Sequence, residues 1–320
     1  MVLNSTPSPL ARRALGKTGL MVTPLCIGCA PLGDMPETFG YSVSEDQALT
    51  TIRAIFDGPI TFVDTAASYG DGESERRIGL VLRERGGLPP GFVLATKADR
   101  DLQTGDFGGG QMRRSVERSL RLLGLERLPL VYLHDAEHTT FEETMAPGGA
   151  VEALQRCKDE GLIERLGVAC GPISLSRRYV ETGLFEVALA HNRYTLLNTA
   201  AGPLWDDCAR RGVAAVNAAP YGGGMLVRGP RSYARYAYRA ASDDVMARAG
   251  QLEALCARYA VPLAAAALQF SLRDPRIAST IVGVSAPEQI AQTVAFASHP
   301  IPQELWDELA TAPPSTDDPE

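Results

Sequence analysis

Along the chain from residue 21, short apolar runs rich in β-branched residues alternate with longer segments whose apolar positions recur at helical spacing. The apolar runs fall at 20–30, 60–66, 91–98, 129–136, 164–170, 185–192, 213–220 and 277–284. The helical segments begin within 44–57, 72–85, 111–124, 149–161, 173–183, 196–212, 242–260 and 286–297. Ser44 with Gln47 has capping-box spacing, and Gly124, Gly161, Gly183 and Gly212 stand where C-terminal glycines belong. Runs such as TIVGV and VAAVNAA are apolar on both faces, which predicts a sheet covered on both sides. Eight such units in about 260 residues predict a (β/α)8 barrel of the α/β class.

The remaining segments predict decoration. Residues 10–20, with Gly16 and Gly19, suit a hairpin closing the amino-terminal end of the barrel, and 262–276 suits an additional helix between the last two units. The stretch from Tyr221 to Ser242 is long for a strand-to-helix loop and is expected over the face that carries function. Residues 1–320 form one barrel domain on this reading, with 1–12 and the proline-rich 312–320 loose.

Composition narrows the function. A net charge of −7 and a pI near 5.3 disfavour a nucleic-acid partner, and no run of basic residues offsets them. No apolar stretch approaches the roughly 18 residues of a membrane span, and the amino terminus lacks the apolar core of a signal peptide, so a cytoplasmic location is expected with no membrane partner. Six scattered cysteines make no disulfide framework. Cys26 and Cys29 read as C-x-x-C, but in a strand their sulfurs point to opposite faces, which favours packing over redox or metal chemistry.

Barrel active sites lie at the carboxyl ends of the strands, so the polar residues there carry weight. Asp64 ends the second predicted strand, Lys97 the third and His134 the fourth, and Tyr69 follows Asp64 in the same loop. Together these four support proton transfer at a substrate oxygen. An ammonium beside a phenol favours the phenolate, Asp64 can hold Lys97 charged and oriented, and His134 can hydrogen-bond the oxygen. His134 and His138 do not suggest a metal site, since HDAEH offers no third ligand nearby. A Schiff base at Lys97 is a further option that the three companions argue against.

The stretches RALGKTGLMVTPLCIGCAPLG, FVDTAASYGDGESERRIGLVL, LATKAD and LVYLHDAE, in that order, resemble the aldo-keto reductases over Arg13 to Ala310. The resemblance implies a catalytic tetrad of Asp64, Tyr69, Lys97 and His134, with Tyr69 as proton donor or acceptor and a nicotinamide cofactor exchanging hydride. It implies cofactor contacts in AAPYGGGML, at Pro220, Tyr221, Gly222, Gly223, Gly224, Met225 and Leu226, and in IVGVSAPEQ, at Gly283, Val284, Ser285 and Gln289, with His191 near the carboxamide. Backbone amides of the glycine run and of the helix start at 286 suit a pyrophosphate. Where relatives that bind NADP carry Lys and Arg, this chain has Gly283 and Gln289, and Thr293 where they have Asn, so NAD is expected over NADP; Arg228 and Arg231 in the long loop are the cations that could reverse this. Ala169, Cys170 and Ala218 stand where the family holds the nicotinamide ring.

CAPLG, SERR, LVYLHDAE and HNRYTLL resemble the branch that oxidises sugars at the anomeric carbon, including L-fucose, L-galactose and D-threo-aldose dehydrogenases, with pyridoxal 4-dehydrogenase close by. The resemblance implies a small-molecule substrate, an aldose or pyridoxal, closed as a hemiacetal and oxidised to a lactone. A general aldehyde or ketone reductase is an alternative reading. A nucleotide-sensing regulatory subunit is another, for which residues 1–12 are short of an extra segment.

Overall fold

In the computed structural model, which describes residues 10–311 and 313–319, the eight apolar runs close into a barrel of parallel strands. The strands in chain order are β1 (Arg13–Ala14), β2 (Met21–Val22), β3 (Leu25–Gly28), β4 (Phe62–Asp64), β5 (Val93–Ala98), β6 (Leu128–His134), β7 (Ile163–Ala169), β8 (Val187–His191), β9 (Ala214–Ala218), β10 (Arg235–Tyr236), β11 (Arg239–Ala240) and β12 (Ile277–Gly283). β3 to β9 pair in sequence, and β12 bonds to both β9 and β3 to complete the ring. This is the predicted (β/α)8 barrel.

Alternation along each strand sorts its side chains into two cores. Inside the barrel, Cys26, Phe62, Val93, Ala95, Leu130, Tyr132, Val187, Leu189 and Val216 pack together, with Leu15 and Val22 of the β1–β2 hairpin plugging the amino-terminal end. Gly167 makes room for the largest of these: a Cβ there would lie 2.5 Å from the Tyr132 ring. Outside, the strands' other faces meet the helices in a larger core that includes Cys29, so the two cysteines do point to opposite faces.

Helix ends follow the local chemistry. Ser44 accepts from the Gln47 amide, while the Gln47 side chain reaches away to the Ser285 carbonyl at 2.8 Å, so only half of the expected capping box forms. The helix expected from residue 196 begins at Gly202, because Thr195 and Asn198 hold 195–200 in side-chain-bonded turns and Pro203 suits a first helical turn. The expected run 20–30 is two strands, β2 and β3, divided at Thr23 and Pro24. Short helices at Phe141–Met145, which has a complete capping box from Thr140 and Glu143, and at Gln303–Ala310 were not expected.

Of the carboxyl-terminal residues expected to be loose, 313–319 are described, and they are docked. Ser315 exchanges backbone hydrogen bonds with Leu197 and Thr199, Asp317 accepts from Asn198, and Asp318 accepts from the Ile173 amide and pairs with the buried Arg193. Of the amino-terminal residues expected to be loose, 1–9 lie outside the described residues. Among the described residues, no single helix is long and apolar enough to cross a membrane.

Candidate active site

At the carboxyl end of the barrel the inward rows finish on one residue per strand: Gly28, Asp64, Lys97, His134, Ala169, His191, Ala218 and Gly283, all lining a cavity of about 610 Å³. Their chemistry divides the floor in two. β4, β5 and β6 end in an acid, an amine and an imidazole, whereas β3, β7, β9 and β12 end in glycine or alanine and leave open space. Strand periodicity therefore produces both the reactive wall and the room beside it.

Tyr69 reaches this wall from the loop after β4. The loop is fixed by the close approach of two glycines: Gly70 has φ +61°, and a Cβ on it would lie 1.9 Å from the Gly33 carbonyl oxygen, while one on Gly33 would lie 2.8 Å from the Tyr69 oxygen. Lys97 Nζ sits at the centre, donating to Asp64 Oδ1 at 2.6 Å, to the Thr65 carbonyl at 2.7 Å and to Tyr69 Oη at 3.1 Å. The Tyr69 and His134 rings meet edge to face, 6.1 Å between centroids.

Burial sets the charges. Lys97 is only 2% exposed, and burial lowers its pKa, but Asp64 and then Tyr69 outweigh that and hold it protonated. For Tyr69 the balance runs against the simple expectation: burial raises its pKa more than Lys97 lowers it, so the phenol keeps its proton. Burial would also lower His134, but Asp135 and Asp99 more than reverse it and its pKa is raised. His191, pushed down to about 4 by burial and then Arg193, is neutral.

A second cleft of about 140 Å³ continues from the first past Pro31, Phe39 and Gly283, lined also by Pro220, Tyr221, Gly223, Gly224, Arg228 and Gln289. Tyr221 Oη is buried there without a hydrogen-bond partner. An extended nicotinamide dinucleotide fits this pair of spaces: a ring beside the small residues of β3, β7, β9 and β12, and polar groups passing the glycines and the Tyr221 hydroxyl.

Several of the residues expected to hold the cofactor have side chains that are buried or already engaged. Met225 and Leu226 are fully buried against helices 243–258 and 263–272, and Val284 is buried in the outer core, because the chain turns there into regular structure; only their backbones remain available. Gly222 lies under the Tyr236 ring, 2.3 Å from where a Cβ would be. The Ser285 amide already donates to Gln289 Oε1 at 2.7 Å, so Gln289 closes the loop before its helix. Arg228 does fold over this cleft, its guanidinium stacked on Tyr233 and Tyr41 at 4.7 and 5.5 Å from the ring centroids.

Sequence reasoning missed Asp99 and Tyr238. Asp99 follows Lys97 by two positions, on the same inward parity, which was the available signal. Its Oδ1 lies 2.6 Å from His134 Nδ1, and Asp99, His134 and Asp135 together bring ligand-type atoms within 4.8 Å of one another. Tyr238 comes from the long loop expected over this face and packs edge to face on Phe39, roofing both spaces.

Residues 24–312 match the aldo/keto reductase family. The D-threo-aldose 1-dehydrogenase of a Pseudomonas species is 31% identical over 93% of this chain and 96% of its own, and the pyridoxal 4-dehydrogenase of Microbacterium luteolum is likewise 31% identical over 93% and 96%. An aldo-keto reductase of Bacillus halodurans, solved in its holo form, shares the fold with a TM-score of 0.79 and 21% identity, covering 97% of this chain and 98% of that one. A barrel ending in this polar wall, matched across most of its length, makes the chain a member of the aldo/keto reductase family and an oxidoreductase.

Proposed function

We propose that this enzyme oxidises the anomeric C1 hydroxyl of an aldose of the L-fucose, L-galactose or D-arabinose type to a lactone, with NAD as hydride acceptor. The observation that carries the reading is Lys97 Nζ, held between Asp64 and the Tyr69 hydroxyl on the floor of the cavity. Asp64 keeps Lys97 charged and aimed, Lys97 steadies the Tyr69 oxygen, and Tyr69 serves as general acid/base at the C1 oxygen. His134 shares that oxygen. Glu37, Asp71 and Asp135 at the mouth offer acceptors to the other sugar hydroxyls.

The residues suited to the cofactor are Gly283 and His191 on the floor, then Pro220, Tyr221, Gly223, Gly224 and Gln289, with the backbones of Gly222, Met225, Leu226, Val284 and Ser285. When bound, the nicotinamide supplies the hydride-accepting carbon. Gly283 and Gln289 bring no cation to a 2′-phosphate, which favours NAD; the name of the D-threo-aldose relative favours the sugar.

Oxidation of pyridoxal is the second reading. The Phe39–Tyr238 pair, 5.8 Å between centroids, would flank a pyridine ring, and the name of the Microbacterium relative points the same way. Purified protein with NAD and each of L-fucose, L-galactose, D-arabinose and pyridoxal should raise absorbance at about 340 nm for one of them as the nicotinamide is reduced. Absence of turnover across this panel, with either NAD or NADP, sinks the proposal; reduction of simple aldehydes with NADPH alone would replace it with a general reductase, and no turnover of any kind would favour a regulatory role.

A further inference from the structure

The long segment after β9 places an unusual residue over the cavity. β10 and β11 pair as Arg235 with Ala240 and Tyr236 with Arg239, so the hairpin turns on two residues, Ala237 and Tyr238. Both have positive φ, +49° and +69°, as a type I′ turn requires. Asn and Gly normally fill such turns, because a Cβ crowds the backbone in this region, and a bulky side chain there is an outlier. Strain of this kind persists only where the surrounding structure enforces it, and it gathers at functional sites.

Here the enforcement is visible. The Ala237 amide donates to the Gly222 carbonyl at 3.1 Å, and the Arg235 guanidinium donates to the Tyr238 carbonyl. The Tyr236 hydroxyl lies 3.2 Å from the Asn192 carbonyl and 3.0 Å from Thr195 Oγ1. The glycine run seats the hairpin: a Cβ on Gly222 would lie 2.3 Å from the Tyr236 ring, one on Gly223 3.0 Å from the Tyr238 amide nitrogen, and one on Gly224 3.2 Å from the Tyr233 ring. From this seat the Tyr238 ring meets Phe39 edge to face, 5.8 Å between centroids. Both rings line the cavity that Asp64, Lys97 and His134 also line, and both continue along the cleft beyond it.

We propose that Tyr238 is a specificity-determining residue: the strained turn holds its ring over the cavity, where together with Phe39 it selects a substrate closed into a ring. The proposal deepens the reading of the chain as an alcohol-oxidising enzyme and rests on it. A pyranose or a pyridine ring is polar at its edge and apolar over at least part of its face. Its edge oxygen can meet Tyr69 while its face packs on the aromatic roof. An open-chain polyol turns hydroxyls in every direction, and those brought against the two rings would lose water without gaining a partner.

Tyr238→Asn keeps a residue that tolerates positive φ and removes the ring. For whichever panel substrate wild type oxidises, it should raise KM at least about tenfold and move kcat by less than about threefold, and Tyr238→Phe, which restores the ring, should recover most of the loss. L-fucitol, the open chain of L-fucose, should inhibit wild type only at concentrations at least about tenfold above that KM, and Tyr238→Asn should close the gap. An unchanged KM in Tyr238→Asn, or L-fucitol binding wild type as tightly as the ring substrate, would overturn the role while leaving the dehydrogenase reading intact. No turnover by wild type across the panel fails that reading, and the proposal with it. Ala237→Gly, followed by urea unfolding without substrate, tests the strain separately: the midpoint should rise, and an unchanged or lower midpoint overturns the proposal.

Discussion

Lys97, buried between an acid and a phenol, shows how residue identity and environment combine. The four side chains Asp64, Tyr69, Lys97 and His134 were legible because each is polar where an apolar run ends, and the structure brings all four to one wall. Their charge states were not legible. Lys97 does favour a Tyr69 phenolate, as expected, but desolvation of the ring outweighs one ammonium and the net shift is upward, and no spacing rule reports desolvation. Arg228 is the other case: its number in the sequence says nothing of its place, yet it stacks beside the cleft that holds Gln289. If NAD is the cofactor, Arg228→Ala should change KM for NAD by less than about threefold, and should weaken any use of NADP by about tenfold, the worth of a charge-assisted hydrogen bond. Wild type that prefers NADP, and loses that preference in Arg228→Ala, would contradict the assignment.

At the level of elements, the strands were the most legible feature, since a buried parallel strand writes itself as an apolar run bounded by polar turns. Helix starts were less so, because Thr195, Asn198 and Thr140 decide them through side-chain bonds that periodicity does not encode. The helix Glu73–Arg85 after the Tyr69 loop carries Glu75, fully buried, accepting from Thr96 Oγ1 at 2.5 Å, with its other oxygen unpartnered. Burial pushes its pKa up to about 7 from 4.5. The folded protein thus holds this proton more tightly than the unfolded chain does. The stabilisation is complete below pH 4.5, declines as pH rises and is gone above about 7. Glu75→Gln should therefore raise stability at pH 8.5 by on the order of 2 kcal/mol, and make little difference at pH 4.5, in urea unfolding followed at both values. An equal gain at both would show that Glu75 does not titrate in this way.

Over the whole molecule, the barrel follows from counting eight units, and the tail shows where such counting stops. Proline-rich and polar, residues 313–319 gave no local signal of order, yet Asp318 and the chain around Ser315 fasten onto loops after β7 and β8, contacts between positions more than a hundred residues apart. The same non-local assembly makes the site: β4, β5 and β6 supply an acid, an amine and an imidazole, and the glycine and alanine ends of β3, β7, β9 and β12 leave open space beside them. Departure of hydride from a sugar C1 over this wall is followed with an aldose of the panel carrying deuterium at C1. Incubated with NAD and wild-type protein, it should yield reduced cofactor with the deuterium on the nicotinamide ring and a lactone without it, while Tyr69→Phe should form either product at least about a hundredfold more slowly. Reduced cofactor free of deuterium, or full activity in Tyr69→Phe, would contradict the account.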